Sequence, residues 1–264
     1  MDLQLGGKRA LITGASAGLG YACAQSLAQE GVSVAINSRS KEKLDEAVTR
    51  ISAVAAPKVK VKGIAGDLSD EEELPRIVNA ARAALGEIDI LVVSTGHPPT
   101  YPFSAATDAQ WQSGHDLVLR PSIVLSRLLL TGMRARRYGR IIFIGSIFGL
   151  EPDKSSVVQS TFRTGVNALA KCIANEVAPD GVTVNVICPG YFDTPLVRDL
   201  AKQFADQQEV SVEEVLGVWR TYSPVKRFGE PEDLGALVSF LSSPRGKFIT
   251  GTCITIDGGA VRQF

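Results

Sequence analysis

The sequence predicts an α/β fold, a single doubly wound domain over residues 1–264 in which helices cover both faces of a parallel sheet of about seven strands. Three observations carry that expectation. Short apolar runs alternate with longer amphipathic segments along the chain, an order that demands right-handed crossovers between parallel strands. The first apolar run ends in a glycine-spaced turn that continues as a helix. No internal repeat or low-complexity linker breaks the alternation, and 264 residues is an ordinary length for one domain built on one continuous sheet.

Taken in order, Ala10–Ile12 reads as a buried strand. In the helix over residues 19–30, Leu19, Ala22, Cys23, Ser26 and Leu27 share a face, and Gly31 stops it as a C-terminal glycine does. A strand Val32–Asn37, a helix Lys41–Ala55, a strand Lys58–Ile64, a helix Asp70–Leu85 and a strand Ile88–Val93 follow. The segment Asp108–Arg137 reads as a helix interrupted by Gly114 and kinked near Pro121. Then come a strand Arg140–Gly145, a helix Ser155–Ala178 and a strand Val182–Cys188. The chain closes with a helix Pro231–Leu241 and a strand around Cys253–Ile256. Regular alternation fails over residues 194–226, where an amphipathic insert reads either as a lid over a site or as a surface hairpin covering the sheet end.

Composition narrows the partners. Lys plus Arg and Asp plus Glu are 28 each, so no global field recruits nucleic acid or an anionic membrane, and a small-molecule partner is favoured. Cysteines 23, 172, 188 and 253 are far apart in apolar patterns, with no C-x-x-C and no histidine pair, so no metal site is expected and the thiols read as buried and reduced. The N-terminal residues MDLQLGGKR lack the pattern of a signal peptide, and no uncharged run approaches a membrane span, so a cytoplasmic location is expected.

The turn carries the chemistry. In Lys8–Gly20, Gly14-x-x-x-Gly18-x-Gly20 preceded by Thr13 gives the backbone freedom and close approach that a dinucleotide pyrophosphate needs, at the positive end of a helix. That spacing differs from G-x-G-x-x-G and resembles the short-chain dehydrogenase/reductase family, and the likeness runs nearly the whole chain, most closely to ketoacyl reductase-type members. It implies a Rossmann-type fold, an oxidoreductase and a homodimer or homotetramer, with the 194–226 insert as a substrate-covering lid. The cofactor contacts it implies are Gly14, Ser16, Gly18, Leu19 and Gly20 in the turn, and Asp67-Leu68 at the adenine. Beyond them it implies Thr95-Gly96 after the fourth strand, with Pro189-Gly190 and Thr194 at the nicotinamide and pyrophosphate. At the end of the second strand the family's NAD-selecting acid aligns with Ser38. Arg39 beside it can hold a 2′-phosphate through charge-assisted bonds, so NADP(H) is preferred to NAD(H), although Ala17 withholds a second basic residue.

The catalytic pattern departs from the family. Ser146 stands at the position that orients the carbonyl, but Gln159 occupies the place of the acid tyrosine, Arg163 that of its lysine and Val118 that of the relay asparagine. Val93-Ser94-Thr95-Gly96 replaces the usual Asn-Asn-Ala-Gly. A glutamine amide donates a hydrogen bond but no proton, and arginine stays charged. His97 and Tyr191 are the alternative acids, with Tyr101 and Asp153 weaker claimants in flanking loops and His115 structural. Two readings stand: an NADP(H)-dependent oxidoreductase with a reorganised proton donor, or a dinucleotide-binding sensor, regulator or structural subunit without catalysis.

Overall fold

The computed structural model describes residues 2–262. Strands β1 (Arg9–Ile12), β2 (Ser33–Ser38), β3 (Val61–Ala65), β4 (Ile90–Val93), β5 (Gly139–Ile144), β6 (Val182–Pro189) and β7 (Cys253–Ile256) form one sheet in the order β3-β2-β1-β4-β5-β6-β7. Every pairing is parallel. Because side chains alternate across a strand, each strand must be apolar on both parities to be covered on both faces. Leu11, Leu91, Val93, Ile141 and Phe143 pack on one side with α3 (Glu73–Leu85), α5 (Arg120–Ala135) and α6 (Val157–Val177). Their neighbours Ile12, Ile90, Val92, Ile142 and Ile144 pack on the other with α1 (Gly18–Gln29), α2 (Lys41–Val54) and α9 (Pro231–Ser242).

Strand β3 begins three residues later than expected, because Lys58 takes a left-handed turn (φ 68°) that closes with a bond from the Val59 amide to the Ala56 carbonyl. The long segment after β4 is α4 (Asp108–Gly114), a π turn His115–Leu119 and α5. Pro121 has no N–H to return to the turn before it, and the ladder widens there instead of simply kinking. Gly114 lets α4 lie against α6, since a Cβ at that position would meet Val158 Cγ1 at 2.3 Å.

The insert splits into α7 (Pro195–Gln208) and α8 (Val212–Thr221), parted where Glu209 turns left-handed and Ser211 caps α8. The two helices share a small core of Ala201, Ala205, Val215 and Leu216. The thiols differ from expectation. All four are free, but only Cys23 and Cys188 are buried, Cys253 is half-buried and Cys172 is exposed. Cys172 is two residues from the buried Ala170 and Ala174, a rotation of about 200° that turns it outward. Among the described residues no helix is long and apolar enough to cross a membrane.

Candidate active site

The strand order reverses between β1 and β4, and a crevice opens beyond their carboxyl ends. Thr13 ties the two ends together, its hydroxyl donating to the Ser94 carbonyl at 2.8 Å and accepting from the Ser94 amide at 3.0 Å. Gly14, at φ 57°, passes so close that a Cβ would sit 2.5 Å from the Ser94 oxygen, and one on Gly20 would sit 2.4 Å from the Gly14 oxygen. Helix α1 can therefore begin directly on the turn. Its N-cap is Ala17, whose methyl makes no cap hydrogen bond, and its first turn holds no acid, so that helix end can take an external anion. Gly18, Leu19 and Gly20 line the crevice there, and Thr194, the cap of α7, faces Gly18 from the opposite wall.

At the outer end, Ser16 and Ser38 hydroxyls are 2.8 Å apart, joining the turn to the tip of β2, and Arg39 lies exposed beyond them. Buried Asn37 braces that tip by donating to the Ile64 and Gly66 carbonyls at 3.0 and 3.1 Å. Asp67 accepts from the Ser69 amide and hydroxyl at 2.9 and 2.7 Å through one oxygen, and Leu68 beside it is buried. Burial opposes ionisation of that carboxyl, but the Ser69 bonds and the nearby Arg39 charge outweigh it and hold its pKa below the ordinary value.

At the inner end, Thr95, Gly96 and His97 from the β4 loop meet Ser146 after β5 and Pro189-Gly190-Tyr191 after β6. Gly190 is required by contact, because a Cβ there would come within 2.9 Å of Asp257. The Ser146 hydroxyl accepts from the Phe148 amide at 3.2 Å, which leaves its own proton to donate. Gln159 is 2% exposed and its amide has no partner among the described residues. One helical turn on, Arg163 donates to the Ile144 carbonyl at 2.6 Å and to the Gly96 carbonyl at 3.2 Å. Burial draws its pKa down to about 10, against the opposing influence of Cys188, and it remains charged at neutral pH. Val118 is packed into the core among apolar side chains.

The two alternative acids separate here. Burial, reinforced by the Arg163 charge, pushes His97 down to about 4, so its imidazole is neutral near pH 7 and has no extra proton to give. Burial, helped by Tyr222 and Asp153, pushes Tyr191 up to about 12, so its phenol keeps its proton. Asp153 is occupied by the Ser155 amide at 2.8 Å, and the Tyr101 carbonyl receives the Val157 amide at 3.2 Å. His115 bonds Asp116 at 2.9 Å and meets the Phe162 ring edge-on.

With this geometry in place, residues 8–205 match the model of the short chain dehydrogenase family. The chain belongs to that family. It is 32% identical over 253 residues to the 3-oxoacyl-(acyl-carrier-protein) reductase of Haemophilus influenzae, covering 96% of this chain and 98% of that one. Its fold superposes on L-sorbose reductase from Gluconobacter frateurii, solved with NADPH and L-sorbose, at a TM-score of 0.94 and 31% identity over the whole of both chains. The actinorhodin polyketide ketoreductase with NADPH superposes at 0.91, with 27% identity over 97% of this chain and 98% of that one. These relatives are reductases, which gives no support to a binding protein without chemistry. This short-chain dehydrogenase is an oxidoreductase of the α/β, Rossmann-type class.

Sequence reasoning overlooked Ser94 and Phe148 as crevice walls, and Trp219 and Tyr222 in the insert. Ser94 could have been found from the glycine opposite it. The aromatic residues of α8 gave only a general amphipathic signal.

Proposed function

We propose that the chain is an NADP(H)-dependent reductase that converts a carbonyl of an uncharged small molecule to an alcohol, with Tyr191 supplying the proton. The observation that carries this reading is a protonated Tyr191 on the wall shared by the dinucleotide crevice and an adjoining pocket, near Ser146 and Gln159. The glycine turn, the uncapped α1 and Thr194 fit a dinucleotide pyrophosphate, and Ser16, Ser38 and Arg39 fit a 2′-phosphate. Bound NADPH supplies hydride. The NADPH in the related sorbose reductase and ketoreductase structures supports the same choice.

On this reading the Ser146 hydroxyl and the Gln159 amide donate to the carbonyl oxygen, orienting it and favouring the charge that develops there. Arg163 fixes the β4 loop against the end of β5 and keeps a positive charge beneath the site. The α7–α8 insert closes over the substrate, and the protein assembles as a homodimer or homotetramer through α6 and the C-terminal segment, with light scattering at micromolar concentration as the check. The activity is tested by following NADPH and NADH consumption over ketones, aldehydes and ketoacyl thioesters. Faster consumption of NADPH with at least one carbonyl class is expected; no consumption, or equal rates with both cofactors, refutes it.

A further inference from the structure

A second pocket of about 540 Å³ adjoins the dinucleotide crevice, sharing His97, Ile147, Phe148, Tyr191 and Leu200 with it. That volume suits a small molecule. The whole chain has 10 Phe, 5 Tyr and 2 Trp, yet Phe148, Tyr191, Phe204, Trp219 and Tyr222 all line this one pocket. Tyr191 lies 5.6 Å from Trp219 at 33° and 5.8 Å from Tyr222 at 41°, and Phe204 stands edge-on to Trp219 at 5.6 Å.

These spacings decide the shape of the guest. A ring inserted between two faces needs about 3.5 Å on each side, so none fits between Tyr191 and its neighbours. The rings make one continuous tilted wall, suited to a flat guest laid against it. Phe148, Tyr191, Phe204 and Trp219 are only half-buried and Tyr222 is 54% exposed, so apolar ring surface remains open to that guest. Charge at the pocket is mixed, with Glu151, Asp153 and Arg262 on its lining, and Glu151 accepts from the Arg262 amide at 2.5 Å. Over residues 194–226 the insert carries five acids (Asp199, Asp206, Glu209, Glu213, Glu214) against four bases (Arg198, Lys202, Arg220, Lys226), so no strong field of either sign marks it.

We infer that the substrate is an uncharged ketone or aldehyde whose carbonyl is borne on an aromatic ring system, the ring lying on the Tyr191–Trp219–Tyr222 wall while the carbonyl reaches Ser146 and Gln159. This rests on the carbonyl-reductase reading of the same crevice. The test compares naphthyl methyl ketone and 1-tetralone with cyclohexyl methyl ketone and 2-octanone under saturating NADPH. The aryl ketones should show at least about a tenfold higher kcat/KM, and Trp219→Ala should raise their KM about three- to tenfold while changing that for cyclohexyl methyl ketone less than twofold. Equal kcat/KM across the panel, or equal effects of Trp219→Ala on both classes, overturns the inference.

A binding measurement stands apart from turnover. Naphthyl methyl ketone should quench tryptophan fluorescence saturably in the wild type and weakly in Trp219→Phe, and absence of saturable quenching overturns the aromatic wall even if NADPH binds. Failure of NADPH to bind overturns the cofactor assignment beneath it, and the quench then decides the wall alone.

Discussion

Replacing Tyr191 with phenylalanine removes one oxygen and keeps the ring that meets Trp219 at 5.6 Å and Tyr222 at 5.8 Å. Packing and cofactor affinity should therefore change little. The phenol, with its pKa raised to about 12, is still a stronger acid than an alcohol near about 16, so proton donation to the developing alkoxide is downhill. General acid catalysis contributes roughly 10²–10⁴-fold, or about 2.7–5.5 kcal/mol, and that is the expected loss in kcat. Single-turnover stopped-flow oxidation of NADPH measures it. The pH dependence separates the two acids: with Tyr191 as donor the rate stays level through neutrality and falls as pH approaches about 12. A His97 donor, titrating at about 4, would confine activity to acid. A Tyr191→Phe enzyme within about threefold of wild type, with NADPH binding intact, refutes this assignment.

Arg39→Ala should weaken NADPH by roughly ten- to a hundredfold, the value of a charge-assisted contact of about 1.5–3 kcal/mol, and leave NADH unchanged; fluorescence titration of both cofactors decides it. Restoring the family residues together, Gln159→Tyr with Arg163→Lys and Val118→Asn, should raise carbonyl reduction less than about tenfold. The last of these changes buries an amide in an apolar cluster at a cost of about 1–3 kcal/mol, so a full recovery of rate in steady-state assays would contradict the rebuilt site. His97 has a folded pKa near 4 against an ordinary 6.5, so below 6.5 the unfolded chain takes up a proton that the folded one refuses. Stability should fall as pH drops from 6.5 towards 4 and then level, by up to about 3 kcal/mol, a slope that His97→Asn should remove in urea titrations.

The glycine turn after β1 was legible because its constraints are local. Gly14, Gly18 and Gly20 lie within one turn, and the close approaches that require two of them are to backbone within that turn or on the neighbouring strand end. The two-faced sheet was legible too, since Leu11 and Ile12 must both be apolar to serve opposite layers. What escaped depends on contacts between distant residues. Position 97 reads as a histidine able to titrate near neutrality, but its burial and its proximity to Arg163 are tertiary facts, and together they remove that proton. Trp219 reads as the apolar stripe of an insert until Tyr191, 28 residues earlier, is found against it. Even the π turn at 115–119 combines a local cause, Pro121, with close packing of α4 on α6 that only the structure displays.

If positions 159 and 163 depart together from the family pattern, as the resemblance implies, what an arginine does in this crevice offers a reason. The resemblance places there a tyrosine made acidic by a lysine, whose compact ammonium acts as a nearby charge. Arg163 spends its planar fork on two carbonyls, Ile144 at the end of β5 and Gly96 beyond β4, so it joins the two sides of the inner site. A lysine has one nitrogen with which to reach both. With the cation committed to the backbone, an amide at 159 still offers a hydrogen bond without needing to ionise. On the proposed reading the proton then comes from outside α6. Tyr191, whose phenol burial pushes up to about 12, lines the crevice from the segment after β6 and is the donor that reading assigns.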